Sequence, residues 1–83
     1  MTTTLCILAL NEIEGMRALL KNMSLGQVDE VFVIDGGSTD GTVEFLKDRG
    51  LTVYSQKRKG RGGAFIEGIS RSTKDAIIFF SGD

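Results

Sequence analysis

The sequence contains no histidine, no proline and no tryptophan, and only one cysteine. The lack of histidine excludes an imidazole general base, a Ser-His-Asp triad and a histidine-ligated zinc ion. Cys6 cannot form a disulfide within the chain, and its position in an apolar segment predicts a buried thiol in a reducing compartment. No apolar run approaches the ~20 residues of a membrane-spanning helix, and the N-terminus has no secretory signal pattern. These absences favour a cytoplasmic protein.

The 83 residues are enough for one small domain at most. Hydrophobic residues make up 41% and charged residues 25% of the chain, which is typical of a globular protein rather than a disordered one. The net charge of −1 argues against general nucleic-acid binding. The charges are unevenly placed, since acidic residues outnumber basic ones at positions 1–54 and a basic cluster lies at positions 57–61.

Apolar segments of strand length alternate with segments of helical periodicity. The predicted strands are Leu5–Leu10, Val31–Ile34, Leu51–Ser55 and Ala76–Phe80. The predicted helices are residues 12–23, Thr42–Arg49 and Ala64–Ser72. The order β-α-β-α-β-α-β predicts a three-layer αβα, Rossmann-like α/β fold around a four-stranded, mostly parallel sheet with right-handed crossovers.

Capping residues and apolar faces give these helices expected ends and orientations. Asn11 is a predicted N-cap of the first helix, and Asp40 is a predicted N-cap of the second. Gly50 is expected to end the second helix as its C′ residue. The side chains of the third helix that are expected to face the sheet are Phe65, Ile66 and Ile69.

Polar clusters follow all four predicted strands. They are Asn11-Glu12, Asp35–Asp40, the basic and glycine-rich loop 56–63, and Gly82-Asp83. Binding sites of parallel sheets form beyond the carboxyl ends of the strands, so these four clusters predict one shared site. The glycine pattern of dinucleotide-binding folds and the Walker A pattern are both absent, and this disfavours the usual dinucleotide and nucleoside-triphosphate sites.

Residues 34–42 read Ile-Asp-Gly-Gly-Ser-Thr-Asp-Gly-Thr. This segment resembles the V-D-D-G-S-T-D-G-T signature of the family-2-type inverting nucleotide-sugar glycosyltransferases with the GT-A fold, including those like dolichol-phosphate-mannose synthase. Residues 9–12 are similar to the family's P-x-Y-N-E, residues 60–64 to its G-K-G-x-A, and residues 78–83 to its apolar strand with D-x-D. The resemblance implies that residues 1–83 are the nucleotide-sugar-binding half of a GT-A domain, ending at the D-x-D position.

The resemblance also implies a set of donor-site residues. They are Leu8, Leu10, Glu12, Asp35, Gly36, Arg61, Gly82 and Asp83. Leu8 and Leu10 stand where the family has proline and tyrosine, and Gly36 stands where it has a second aspartate. Asp83 matches the second Asp of D-x-D and would hold Mn²⁺ or Mg²⁺ at the donor diphosphate. No catalytic residue is implied for this chain, because the family's catalytic base belongs to the other half.

Three of these residues also have a purely structural interpretation. Asp35 shapes the turn after the second strand, Glu12 is an acid favoured by the dipole of the first helix, and Arg61 belongs to a solvated basic loop. The residues at positions 57–59 are either solvated or attracted to anionic lipid headgroups.

The implied function is transfer of a sugar, with inversion, from a UDP- or GDP-sugar to a polyprenyl-phosphate or saccharide acceptor at the cytoplasmic face of a membrane or in the cytoplasm. The 83-residue chain itself is expected to bind at most the nucleotide. Two alternatives remain open. One is a nucleotide-binding module without catalysis, and the other is a self-associating α/β module that buries an exposed edge strand in a homo-oligomer.

Overall fold

The computed structural model describes residues 1–22 and 25–81 and contains one sheet with three α-helices. The strands are β1 (Thr3–Ala9), β2 (Glu30–Asp35), β3 (Val53–Ser55) and β4 (Ala76–Ser81). The helices are α1 (Ile13–Asn22), α2 (Thr42–Asp48) and α3 (Gly60–Arg71), with a short 3₁₀ turn over Leu25–Gln27. None of the helices in the described ranges is long and apolar enough to cross a membrane.

The strands are all parallel and lie in the order β3-β2-β1-β4. In this register Leu8 of β1 lies opposite Ile34 of β2 on one side and Ser81 of β4 on the other. The carboxyl ends of all four strands therefore meet at one edge of the sheet. This arrangement confirms the predicted α/β fold with a parallel sheet.

Helices cover both faces of the sheet, because successive side chains of a strand point to opposite faces. On one face, Met16 of α1 and Leu46 of α2 are fully buried in a cluster with Ile7 and Val33. Burial of one such side chain contributes about 1.5–3 kcal/mol to folding. On the other face, Ala64 of α3 packs in a second cluster, which is formed with Cys6, Phe32 and Ile34. The burial of Cys6 confirms the expected core thiol, and desolvation raises its pKa to about 12.

Helix α3 lies very close to the sheet at Gly68. A Cβ atom at this position would lie 2.7 Å from Cε1 of Phe79 and 2.9 Å from Sγ of Cys6, so only glycine fits here. The prediction that Ile66 and Ile69 face the sheet is wrong, since they are 48% and 59% exposed. Small residues allow the helix to approach, and the bulkier isoleucines are left on its outer side.

Some element ends also differ from the prediction. Strand β3 begins at Val53 rather than Leu51, although Leu51 is buried in the turn before it. Helix α3 begins at Gly60 rather than Ala64, so the glycines that were expected in a loop form its first turn. The preceding loop lies very close to Gly63 in this turn, although glycine has a low helix propensity. Gly50 follows α2 with φ 83°, as expected of a C′ glycine.

Candidate functional site

The loops after β1 and β2 are hydrogen-bonded to each other at Asn11. The side-chain oxygen of Asn11 accepts the N–H of Thr39 at 2.7 Å, and its own N–H donates to Oγ of Ser38 at 2.9 Å. Asn11 has φ 49°, a left-handed conformation that asparagine tolerates better than most residues. It was predicted to cap α1, but α1 begins at Ile13 and the Asn11 side chain joins the two loops instead.

Asp35 organises the turn after β2. The residue is 4% exposed, and its Oδ2 accepts the N–H groups of Gly37 and Ser38 at 2.9 Å each. Its Oδ1 accepts the hydroxyl of Ser38 at 2.5 Å. The turn-shaping interpretation of Asp35 is therefore seen directly, and its contact with a nucleotide stays a prediction.

Asp40 connects the starts of two helices. Its Oδ1 accepts both the N–H of Thr42, at 3.0 Å, and the Thr42 hydroxyl, while Oδ2 accepts the N–H of Ile13 at 3.2 Å. The N-cap position of α2 itself is Gly41, with φ 94°. Asp40 therefore lies one residue before the N-cap, rather than at it as predicted. These bonds, the Thr42 hydroxyl first, lower the pKa of the Asp40 carboxyl.

A cavity of about 310 Å³ opens at the carboxyl edge, on the α3 face of the sheet. Four predicted donor-site residues line it: Leu8, Leu10, Gly36 and Arg61. The remaining lining residues are Ala9, Ile34, Gln56, Gly60, Ala64 and Ser81. The volume is at the lower end of the ~300–1,000 Å³ of ordinary ligand pockets. The structure therefore brings half of the predicted donor-site residues around one cavity.

The cavity combines an apolar floor with a polar rim. Leu8, Ile34 and Ala64 belong to or pack against the apolar cluster beneath α3. Arg61, in the first turn of α3, supplies a cation at the rim. Such a site can take a ligand with one flat, weakly polar part and one anionic part.

Gly36 lies beside the rim. A Cβ atom at this position would lie 3.5 Å from Oε1 of Gln56 and 3.5 Å from Cδ1 of Leu10, which is ordinary contact. The position therefore accepts a side chain, and one that reaches beyond Cβ would extend toward these two lining residues.

Gln56 lines the cavity but is absent from the predicted residues. Its Nε2 donates to the carbonyl oxygens of Arg58 and Gly60, and its N–H donates to the Asp35 carbonyl at 2.7 Å. The signal that would have found it is its place directly after β3, at the same sheet edge as the other polar clusters.

Two other predicted residues, Glu12 and Asp35, do not line the cavity. Glu12 is half-buried just before α1 and is not part of the lining. Gly82 and Asp83, and with them the predicted metal ligand, lie outside the described residues. Among residues 1–22 and 25–81, no group of three or more Cys, Asp and Glu side chains is placed to hold a metal ion. Because Mg²⁺ is often held by one or two carboxylates together with substrate phosphates, a single carboxylate such as that of Asp83 would suit a site of this kind.

Comparison with known proteins extends the sequence resemblance. The model of the family "Glycosyl transferase family 2" matches residues 4–83. Glycosyltransferase AglJ of Haloferax volcanii is 39% identical over 66 residues, which are 77% of this chain and 22% of AglJ. Protein RfbJ of Shigella flexneri is 34% identical over 53 residues, which are 64% of this chain and 41% of RfbJ.

Solved structures agree with the sequence relatives. Glucosyl-3-phosphoglycerate synthase from Mycobacterium tuberculosis, crystallised with Mn²⁺, UDP-glucose and glycerol 3-phosphate, superposes with a TM-score of 0.87 at 28% identity. This match covers 99% of the present chain and 34% of the synthase. The same enzyme crystallised with Mg²⁺ and UDP gives a TM-score of 0.80 at 30% identity, over 99% of this chain and 33% of the synthase.

These matches cover different shares of the chain and of the proteins it is similar to. The similarity to dolichol-phosphate-mannose synthase in particular stays a prediction. The chain spans about a third of the solved synthase and about a fifth of AglJ. The family model, by contrast, covers nearly every residue. The chain belongs to glycosyl transferase family 2.

Proposed function

We propose that the cavity binds the nucleoside diphosphate of a nucleotide-sugar donor, and that residues 1–83 form the donor-binding half of a glycosyltransferase domain. The observation that carries this proposal is the convergence of Leu8, Leu10, Gly36 and Arg61 around one cavity. It is supported by the likeness to a synthase crystallised with UDP and with UDP-glucose.

The lining divides between the two parts of such a donor. The apolar floor at Leu8 and Ile34 suits the flat face of a base or ribose. Arg61 and the amide groups at the start of α3 suit the diphosphate, because a helix N-terminus and a guanidinium both stabilise phosphate oxygens. Asp35 would act on the ligand mainly by fixing the turn that carries Gly36.

We propose that a divalent cation, Mn²⁺ or Mg²⁺, completes the site, with Asp83 as the ligand from this chain. The support is the sequence resemblance together with the Mn²⁺ and Mg²⁺ in the crystallised synthase. When bound, such an ion supplies Lewis-acid stabilisation of the departing nucleoside diphosphate. The described part of the chain contributes the cavity and the Arg61 cation.

We propose a polyprenyl-phosphate or saccharide acceptor, inversion at the anomeric carbon and action in the cytoplasm, as the resemblance to the inverting enzymes implies. Lys57, Arg58 and Lys59 are exposed and would favour contact with anionic lipid headgroups. NMR assignment of the anomeric configuration of the product made by a full-length enzyme tests the inversion.

Titration calorimetry with UDP and GDP, in the presence of Mn²⁺, tests donor binding by the folded chain. We expect binding of at least one nucleotide and roughly tenfold weaker binding by Arg61→Ala, since a charge-assisted contact to phosphate is lost. Lys74→Ala is the matched control, because this exposed cation precedes β4 at the opposite edge of the sheet. A folded chain that binds neither nucleotide would contradict the proposal.

Self-association is a second candidate, and the open edge of β4 favours it. Ile78 and Phe80 of this strand are 53% and 38% exposed, and β4 pairs only with β1 among the described strands. An exposed apolar edge strand is a template for pairing with another chain. Light scattering across a concentration series tests it, and a monomer at high concentration would contradict it. In a longer protein the same edge is available to the rest of the domain.

A further inference from the structure

The loop between β3 and α3 is held by Glu67, which does not line the cavity. This residue of α3 is 8% exposed, and its carboxylate accepts the N–H of Lys57 at 3.0 Å and the N–H of Arg58 at 2.9 Å. The bond from Arg58, followed by that from Lys57, lowers the pKa of the Glu67 carboxyl. The carboxylate is therefore ionised at neutral pH and satisfied by the backbone of the loop.

Gly63 marks where this loop packs against α3. A Cβ atom at position 63 would lie 2.7 Å from Cβ of Arg58 and 3.0 Å from the carbonyl carbon and oxygen of the same residue. Any larger side chain would push the loop off the helix. The close approach and the Glu67 bonds act at the same place, since both involve Arg58.

The cavity side of the loop is shaped by Gln56. Its side-chain amide spans the turn to the carbonyl oxygens of Arg58 and Gly60. Gln56, Gly60 and Arg61 all line the cavity, whereas Glu67 does not. Glu67 lies instead in a separate depression, which it shares with the side chains of Lys57, Arg58, Ser70 and Arg71. Any effect of Glu67 on the cavity is therefore indirect, and its hydrogen bonds to Lys57 and Arg58 connect it to the loop.

We propose that Glu67 is a positioning residue for diphosphate binding. By accepting two consecutive backbone N–H groups it fixes the course of residues 56–60, and this places Gln56 and Arg61 at the rim of the cavity. The inference rests on the proposed donor site and assigns a role to a residue that does not line the cavity. A displacement of the loop would weaken contacts to the diphosphate and leave the apolar floor unchanged.

The variant Glu67→Gln tests this role, because it keeps the size of the side chain but turns one acceptor into a donor that faces a backbone N–H. NMR titrations with UDP and with uridine, both with Mg²⁺, compare a ligand that has the diphosphate with one that lacks it. We expect roughly tenfold weaker UDP binding with uridine binding unchanged within about twofold, as for loss of one charge-assisted contact. Amide hydrogen exchange at Lys57 and Arg58 should become faster in the same variant, whether or not ligand is present.

Glu30→Gln is the matched control, since Glu30 also accepts a backbone N–H but lies at the other edge of the sheet. It should leave both affinities and the exchange at Lys57 and Arg58 unchanged. If the wild-type chain binds GDP rather than UDP, the same comparison is made with GDP and guanosine. If it binds neither nucleotide, the proposed donor site fails and this inference fails with it. If the wild type binds UDP, then equal effects of Glu67→Gln on UDP and uridine, or unchanged exchange at the two amides, overturn this inference alone.

Discussion

Carboxylate side chains accept backbone N–H groups at both ends of the parallel strands, but in different surroundings. The end where the strands begin is called the amino edge, and the end where they finish is called the carboxyl edge. At the amino edge, the carboxylate of Glu30 accepts the hydroxyl of Thr4 and both the N–H and the hydroxyl of Thr73. At the carboxyl edge, Asp35 and Glu67 likewise accept backbone N–H groups, but the segments they hold border the cavity. Carboxylate-to-backbone bonds thus stabilise the fold at one edge and shape a binding site at the other.

This contrast separates stability from ligand affinity. A change at the amino edge should alter the free energy of unfolding alone, because the hydrogen bonds there join strand ends to one another and to the turn between α3 and β4. A change at the carboxyl edge should alter both quantities, since the loops there carry the lining residues. The predictions below follow that distinction, beginning with the largest expected effect.

Asp35→Ala is expected to be the most damaging of these substitutions. It leaves the N–H groups of Gly37 and Ser38 without their acceptor, so we expect a loss of about 3 kcal/mol in the free energy of unfolding. UDP affinity should fall as well, because the turn that carries Gly36 is no longer fixed. Urea denaturation and calorimetry measure the two effects. Full stability combined with lost UDP affinity would show instead that Asp35 acts on the nucleotide directly.

Thr4→Val breaks the corresponding network at the amino edge. Thr4 is fully buried, donates to Glu30 at 2.8 Å and accepts the hydroxyl of Ser72 at 2.9 Å. Valine has nearly the same shape but makes neither bond, so we expect a loss of about 1–2 kcal/mol in the free energy of unfolding. UDP affinity of the folded fraction should not change. A fall in affinity here would remove the distinction between the two edges.

Acidification should weaken both edges. Hydrogen bonds lower the pKa of Glu30 and Asp75 at the amino edge, and those of Asp40 and Glu67 at the carboxyl edge. The folded-state pKa values of these four carboxyls lie below the ordinary values, which are 4.5 for glutamate and 3.8 for aspartate. The stability that the four carboxylates provide is therefore complete above the ordinary values. It is lost as the pH falls through the lower, folded-state values.

Urea unfolding between about pH 7 and pH 3 measures this loss. Glu30→Gln should flatten the decline in stability, since this side chain no longer binds a proton on unfolding. The dependence of UDP affinity on pH should remain that of the wild type. A decline that is as steep in the variant as in the wild type would show that the Glu30 bonds contribute little.

The sequence predicts the fold better than it predicts the roles of single polar residues. Apolar periodicity is enough for the order of elements and the parallel sheet, because burial on both faces leaves a clear pattern in β1 and β2. The outward position of Ile66 and Ile69 was not predictable from periodicity alone, since it depends on how closely Gly68 approaches Cys6 and Phe79. Contacts between distant segments decide such details.

The candidate site was only partly predictable, because some of its residues depend on contacts between distant segments. Leu8, Leu10, Gly36 and Arg61 follow from the resemblance of their segments to the family motifs. Asn11 was expected to cap its own helix but bonds to Thr39, 28 residues away in sequence. Gln56 belongs to no motif, and its place directly after β3 is its one signal in the sequence. Glu67 also belongs to no motif, and its role becomes visible only when the loop between β3 and α3 is seen folded against the helix.

Gly36→Asp has the smallest expected effect and probes the carboxyl edge alone. Position 36 accepts a Cβ at ordinary contact distance, so stability should change by no more than about 0.5 kcal/mol. An aspartate here restores the second acid of the family signature beside the cavity, and we expect a few-fold tighter UDP binding through a hydrogen bond from the base or ribose.

Substitution of the next residue supplies the comparison for Gly36→Asp. Gly37 has φ 108°, a conformation that an L side chain rarely adopts, so Gly37→Asp should lower stability where Gly36→Asp does not. Calorimetry with UDP and with uridine shows whether a gain in affinity involves the nucleoside part of the ligand. A gain for UDP with none for uridine would place the new carboxylate away from the base and ribose. Equal gains for both ligands would show that the nucleoside lies beside position 36.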